Sequence, residues 1–137
     1  MKVMSVDYGD VRTGVALSDA MCMLASPLTV IKETYQPKLV DKLLKIINEN
    51  NITTVVIGLP RNMDGTYGYR CDECRSLGNA LADIKDDLKV VYEDERLTTV
   101  MAHNILSSNN VRGKKRKDTV DAVSAVMILQ SYLDKNR

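Results

Sequence analysis

The stretch that decides the fold is KVMSVDYGDVRTGVALSD, residues 2–19. An apolar run over residues 2–7 ends in Asp7, and a second apolar run follows over residues 13–19 after a short polar connection. Apolar runs of this length favour β-strands, and so short a connection favours a hairpin in which Gly9 supplies a positive φ angle. By itself, this pattern leaves open whether Asp7 is a turn residue, part of a phosphate site or a metal ligand.

The rest of the chain alternates strands with helices. Pro37 is typical of the first turn of a helix, residues 53–60 are apolar on both faces as in a buried parallel strand, and Leu77 to Leu88 follow helical spacing. We predict further elements over 26–31 (strand), 88–94 (strand), 98–107 (helix) and a final helix capped by Asp118 or Thr119. This order predicts an α/β domain over residues 1–137, a mixed five-stranded sheet with helices packed on it that resembles the ribonuclease H-like fold.

Composition limits the classes of protein that the chain can belong to. It has 137 residues, of which 45% are hydrophobic and 27% charged, with a formal net charge of +1. These values are typical of a globular domain and exclude global disorder. We found no signal segment or membrane span in the sequence, and Cys22, Cys71 and Cys74 are an odd number of cysteines. We therefore expect a cytoplasmic protein with reduced thiols that does not bind membranes, as a monomer or weak homodimer.

One segment departs from this neutral balance. Residues 112–117 contain five cations around a single glycine, namely Arg112, Lys114, Lys115, Arg116 and Lys117. Like charges at this density repel one another, so we expect an extended loop. The loop could be a solvated surface segment or a contact site for a phosphate backbone.

Four carboxylates stand at predicted element boundaries. Asp7 ends the first strand, Asp94 and Glu95 end the strand over 88–94, and Asp121 lies in the predicted first turn of the last helix. Side chains alternate along a strand, so Asp94 and Glu95 cannot both enter one site unless the strand bends. Asp121 also has a structural explanation, because a first-turn carboxylate is stabilised by the helix dipole by about 0.3–1 kcal/mol. If these acids converge, they require a cation, and oxygen ligands favour Mg²⁺ or Mn²⁺, which supports phosphodiester cleavage.

Four motifs resemble those of a known family. DYGDVRTGVALSD, IGLPRNMDGT, YEDERLTTVMA and KKRKDTVDAVSAVMILQSYL are similar, in this order, to the YqgF/RuvX family of pre-16S rRNA nucleases, relatives of RuvC-type Holliday junction resolvases. The resemblance implies a metal-dependent nuclease that trims the 5′ end of the 16S rRNA precursor during ribosome biogenesis, with branched DNA as an alternative substrate. It also implies that Asp7, the Asp94/Glu95 pair and Asp121 hold Mg²⁺ or Mn²⁺. In RuvC-like resolvases the second acid comes from the strand that here contains Gly58, so in this chain it must come from residues 93–96.

Two other functions compete with this interpretation. The motif DYGDVRTG also resembles the phosphate loop of actin-like and sugar-kinase ATPases, although 137 residues supply only one of their two lobes. A non-catalytic RNA-binding factor for ribosome assembly would use the same basic residues without turnover.

Several further residues have both a functional and a structural interpretation. Arg12 and Arg96 stand beside the candidate acids, and Arg61 and Arg70 flank a polar loop; each could bind substrate phosphates or pair with a carboxylate. CDEC, residues 71–74, has the spacing of half a zinc site, but we expect the pair at a helix start. His103 falls in the middle of a predicted helix, where a surface or packing role is the common one.

Overall fold

The computed structural model describes residues 2–60, 68–94 and 113–136, and for 113–121 the backbone alone. Five strands and three helices lie in this part of the chain. In chain order they are β1 (Lys2–Asp7), β2 (Arg12–Ser18), β3 (Ala25–Lys32), α1 (Gln36–Glu49), β4 (Ile52–Leu59), α2 (Tyr69–Ile84), β5 (Lys89–Asp94) and α3 (Gly113–Lys135).

The five strands form one mixed sheet in the order β3-β2-β1-β4-β5. β1 and β2 form the predicted antiparallel hairpin, with Asp7 opposite Gly14, and β3 continues it antiparallel to β2. β4 and β5 are parallel to β1 and to each other, because α1 and α2 carry the chain back across the sheet between them. β1 is therefore the central strand, and its carboxyl end lies among the ends of its parallel neighbours.

Each face of the sheet has its own apolar core. On one face, Met4 and Val6 pack with the buried stripes of α1 and α2, among them Leu43 and Leu77. On the other face, Val3 packs with the buried stripe of α3. Alternate residues of one strand thus belong to opposite cores, as the pleat requires. The predicted fold class, a mixed five-stranded sheet with helices packed on it, is confirmed.

Most predicted elements lie within one or two residues of the observed ones. The Pro37 prediction is correct, because Pro37 is in the first turn of α1. The prediction for Gly9 was wrong in its reason: its φ lies outside the left-handed region that favours glycine, but a Cβ there would lie 2.1 Å from the carbonyl oxygen of Arg12. Gly9 is needed because the backbone of the β1–β2 turn passes too close for a side chain. The predicted helix over 98–107, which contains His103, lies outside the described residues.

The start of the last helix corrects two predictions. We expected an extended loop over 112–117 and a cap at Asp118 or Thr119, but α3 begins at Gly113 and already includes Lys114 to Lys117. Lysine and arginine are good helix formers, and a helix separates successive side chains around its axis, which relieves the repulsion that favoured a loop. Arg112 lies outside the described residues.

None of the helices in the described part of the chain is long and apolar enough to cross a membrane.

Candidate functional site

Asp7 is the last residue of the central strand and is half-buried. The face of the sheet on which Asp7 lies can be inferred from Ser5 and Val3, which come two and four positions earlier in β1. The Ser5 hydroxyl donates a buried hydrogen bond of 2.6 Å to the Ala125 carbonyl of α3, and Val3 belongs to the α3 core. Because strand side chains alternate, Asp7 lies on the α3 face of the sheet.

Gly58 and Glu93 continue a row across the sheet from Asp7. Val6 pairs with Ile57, which makes Gly58 the neighbour of Asp7 on β4, and Gly58 pairs with Glu93 on β5. Adjacent strands are about 4.8 Å apart, so Asp7 and Glu93 are separated by roughly 10 Å across a position that has no side chain. Glu93 is 7% exposed and forms an ion pair with Lys135 of α3, which places it on the same face as Asp7.

Asp94 is the last residue of β5, and it lies on the opposite face. Tyr92, two residues earlier, packs into the α1/α2 core, and its hydroxyl lies close to Gly78 of α2. Alternation therefore places Asp94 on the α2 side of the sheet. Glu95 lies outside the described residues.

Asp121 is the ninth residue of α3, counted from Gly113, and α3 has no acidic residue in its first turn. The structural explanation for Asp121 therefore fails, because the effect of the helix dipole is confined to the first turn. Ala125 and Ile128 of α3 are fully buried against the sheet. Position 121 comes one helical turn before Ala125 along the backbone of α3.

Arg70 holds the turn that follows Asp7. Its guanidinium donates a hydrogen bond of 2.8 Å to the Tyr8 carbonyl, forms an ion pair with Asp10 and contacts Glu73 at 3.3 Å. It also lies 5.7 Å from the centre of the Tyr8 ring, which suits a cation–π contact. These contacts join the β1–β2 turn to the first turn of α2, so Arg70 has a structural role next to the candidate site.

The structure describes only some of the other basic residues that we predicted to bind substrate. Arg12 is the first residue of β2, the strand that pairs with β1, and it is half-buried. The backbone of Lys114, Lys115, Arg116 and Lys117 forms the first turns of α3. Arg61 and Arg96 lie outside the described residues.

The cysteine pair belongs to the apolar core. Cys71 and Cys74 are 0% and 1% exposed, lie one turn apart at the start of α2 and pack with the α1/α2 cluster. Across residues 2–60, 68–94 and 113–136, no group of three or more His, Cys, Asp or Glu side chains is placed to hold a metal ion. Glu95 lies outside these ranges, and the side chain of Asp121 is not described.

Sequence reasoning missed Glu93 and Ser5. Glu93 is the first acid of the EDE run, residues 93–95, and no sequence signal assigns it to the face of Asp7, because that face follows only from the pairing of β1 with β4 and of β4 with β5. Ser5 interrupts an apolar strand with a polar residue, which is the signal of a buried hydrogen bond.

A mixed five-stranded sheet of this order, with helices on both faces, defines the ribonuclease H-like class of folds. Two solved structures support this class: the fowlpox virus Holliday junction resolvase, at a TM-score of 0.62 and 11% identity over the whole of both chains, and Thermus thermophilus RuvC with a Holliday junction substrate, at 0.58 and 13% over 99% of this chain and 96% of that one. At these identities, the likeness concerns the fold.

Other proteins match this chain at much higher sequence identity than these two solved structures do. Residues 1–135 match the RuvX family, described as Holliday junction resolvase. A protein of Ruminiclostridium cellulolyticum named "Putative pre-16S rRNA nuclease" is 42% identical over 98% of this chain and 95% of its own length. A protein of Carboxydothermus hydrogenoformans with the same name is also 42% identical, over 98% of this chain and 96% of its own length. The chain belongs to the RuvX family, as the four motifs predicted, and is a nuclease, a hydrolase of phosphodiester bonds.

Proposed function

We propose that this nuclease depends on Mg²⁺ or Mn²⁺ and processes the 5′ end of the 16S rRNA precursor during ribosome biogenesis. Relatives at 42% identity over nearly their full length carry the name of a pre-16S rRNA nuclease, which supports the substrate. The observation that carries the chemistry is the position of Asp7 at the end of the central strand, on the face that α3 covers.

We assign the metal ligands to Asp7, Asp121 and the acidic end of β5. α3 contacts the sheet through Ala125 at Ser5, and its last turns lie against Val3 and Thr54 at the beginnings of β1 and β4. Its earlier turns therefore extend toward the carboxyl ends of the strands, where Asp7 lies. A helix rises about 1.5 Å per residue, so position 121 is about 6 Å nearer to that end than Ala125.

The alternation of β5 supports one choice between Asp94 and Glu95. Asp94 follows Tyr92 onto the α2 side of the sheet. If the chain stays extended for one more residue, Glu95 falls on the side of Asp7. We therefore favour Glu95 as the second ligand, with Asp94 as the residue that supports the strand end.

The donor set suits a hard cation. Carboxylate oxygens from β1, β5 and α3 are the ligands that Mg²⁺ and Mn²⁺ prefer, and Gly58 leaves space between the acids of β1 and β5. Bound there, the metal would lower the pKa of a water molecule and stabilise the charge on the leaving oxygen. The protein would contribute the rigid spacing of the acids and an approach for the phosphate backbone.

The basic residues supply that approach. We propose that Arg112, Lys114, Lys115, Arg116 and Lys117 hold the phosphate backbone without selecting sequence, and that Arg61 and Arg96 also bind substrate phosphates. Four cations at the beginning of α3 are repelled by the positive end of the helix dipole. A bound phosphate would offset this repulsion. Arg12, on the strand that pairs with β1, would also bind a substrate phosphate, whereas Arg70 has a structural role because it pairs with Asp10 and Glu73.

Cleavage assays with an Asp7→Asn variant test the proposal. The purified protein should cut RNA that carries the 5′ flank of the 16S precursor when Mg²⁺ is present, and the variant should fold normally yet fail to cut. Asp41→Asn is the matched control, because Asp41 is an exposed acid of α1 on the other face of the sheet.

Assays of the same protein with other nucleic acids and with ATP distinguish the competing functions. A four-way DNA junction cut in preference to the RNA would favour a resolvase, in line with the description of the family. Salt-dependent RNA binding with no metal-dependent turnover would favour an assembly factor. Thermal stabilisation by ATP would favour a nucleotide-binding protein. Full activity of Asp7→Asn would refute the proposed site.

A further inference from the structure

Glu93 is a buried carboxylate that the proposed ligand set does not use. Its side chain is 8% exposed, whereas that of its partner Lys135 is 65% exposed. A carboxylate this far from water is costly unless a charged group pairs with it. The ammonium of Lys135 therefore stabilises the end of β5, and in return Glu93 holds the last turn of α3 in a fixed place.

The pair joins the two elements that carry the proposed acids. Glu93 immediately precedes Asp94 and Glu95, and it lies across Gly58 from Asp7. Lys135 ends the helix whose earlier turns contain Asp121. Elsewhere in the described residues, α3 is held by the hydrogen bond from Ser5 to the Ala125 carbonyl and by Gln130, whose Oε1 accepts from the Ala25 N–H and whose Nε2 donates to the Met23 carbonyl, each at 3.0 Å. Among these contacts, the Glu93–Lys135 pair is the one that joins the last turn of α3 to β5, while the Ser5 hydrogen bond joins Ala125 to β1.

We propose that Glu93 and Lys135 are positioning residues of the nuclease: their ion pair fixes the angle of α3 over the sheet and so sets the distance from Asp121 to Asp7. This inference rests on the proposed metal site. It assigns no contact with substrate or metal to either residue.

The length of the helix explains why a contact so far from Asp121 matters. Fourteen residues separate Asp121 from Lys135, about 21 Å along a helix. A rotation of about 10° around the Ser5 contact at Ala125 would displace Lys135, about 15 Å away, by roughly 2.6 Å and position 121, about 6 Å away, by roughly 1 Å. A misplacement of about 1 Å can reduce the rate of a positioned reaction by up to about 100-fold, so we expect a loss of tenfold or more.

The test compares two single variants with their charge-reversed combination. Lys135→Met and Glu93→Gln should each lower kcat by about tenfold and raise the half-saturating Mg²⁺ concentration several-fold, with KM for RNA unchanged, because the acids but not the basic residues are displaced. The double variant Glu93→Lys with Lys135→Glu should recover most of both losses. Lys45→Met is the matched control, since Lys45 contacts Glu49 at 4.0 Å on the exposed side of α1.

A second measurement does not depend on turnover. Mn²⁺ binding, followed by electron paramagnetic resonance, should weaken several-fold in both single variants and recover in the charge-reversed protein. If the single variants keep the kcat and the metal affinity of the parent, the positioning role is refuted. A loss in Glu93→Gln far larger than in Lys135→Met, without recovery by reversal, would refute it too and make Glu93 a ligand. A parent protein that shows no metal-dependent cleavage would refute the proposed function, while the Mn²⁺ measurement would still test the pair.

Discussion

Two buried serines of the sheet provide a sharp test of the fold that carries the site. Ser18 accepts a hydrogen bond of 2.8 Å from the backbone N–H of Val3, and Ser5 donates one of 2.6 Å to the Ala125 carbonyl. Both serines are buried, at 5% and 0% exposure. Each can be replaced by alanine, which removes only the hydroxyl group.

The two substitutions should differ in cost because they leave different groups behind. In Ser18→Ala, the buried N–H of Val3 loses its partner at a point where the register between β1 and β4 shifts, which costs about 1–3 kcal/mol. In Ser5→Ala, the Ala125 carbonyl still accepts the intrahelical bond of α3, so only the net value of a hydrogen bond is lost, about 0.5–1.5 kcal/mol. We expect Ser18→Ala to be the more destabilising variant by about 1 kcal/mol.

Urea denaturation followed by circular dichroism measures both effects. Ser26→Ala is the control, because Ser26 is exposed on the edge strand β3, and it should change the free energy of unfolding by less than about 0.5 kcal/mol. The order of the two buried variants decides the outcome. If Ser5→Ala costs as much as Ser18→Ala or more, the reasoning from the unpaired N–H is wrong.

Three further predictions follow from packing and charge. A Cβ on Gly78 would lie 2.3 Å from the Tyr92 hydroxyl and 3.0 Å from Val90 Cγ1, so overpacking of about 1–3 kcal/mol should outweigh a helix-propensity gain of about 1 kcal/mol in Gly78→Ala. In a Tyr92→Phe background the cost should fall by about 1 kcal/mol, and equal costs in both backgrounds would exclude the clash. Burial raises the pKa of Tyr92 above its usual 10.0, so the free energy of unfolding should decline as pH rises from 10 through the folded-state pKa; an alkaline urea series should show a shallower decline in Tyr92→Phe, and identical curves would exclude the effect. Replacing Lys114 and Lys115 by alanine should make the salt dependence of RNA binding shallower by up to about 1.4 log units per log unit of salt, measured by titration at several KCl concentrations, and an unchanged slope would remove these lysines from the interface.

The sheet could be predicted from sequence because its signals are local. An apolar run that ends at a polar connection specifies a hairpin, and a run apolar on both faces specifies a buried parallel strand. Pro37 and the apolar stripe after it specify α1 in the same way. Each of these signals is contained within one element, so neighbours in space add little to it.

The start of α3 could not be predicted in this way, because two local effects oppose each other. Repulsion among Lys114 to Lys117 favours a loop, whereas their helix propensity favours a helix, and packing of the later turns against the sheet supplies the difference. The error also affected the interpretation of Asp121. Once α3 begins at Gly113, the helix dipole no longer explains an acid at its ninth position, so the structure strengthens the functional interpretation of a residue that the sequence left open.

The acids at the end of β5 show what the pairing of strands adds to a sequence motif. From the motif alone, Asp94 and Glu95 are equivalent candidates, and Glu93 attracts no attention. The register changes this, because it connects β5 through Gly58 to Asp7 and assigns a face to each position. Glu93 then lies on the face of Asp7 and Asp94 on the other, since Tyr92 is fixed against Gly78 of α2. An odd shift of one residue would exchange these faces, so the packing of one tyrosine against one glycine decides which carboxylate can reach the site.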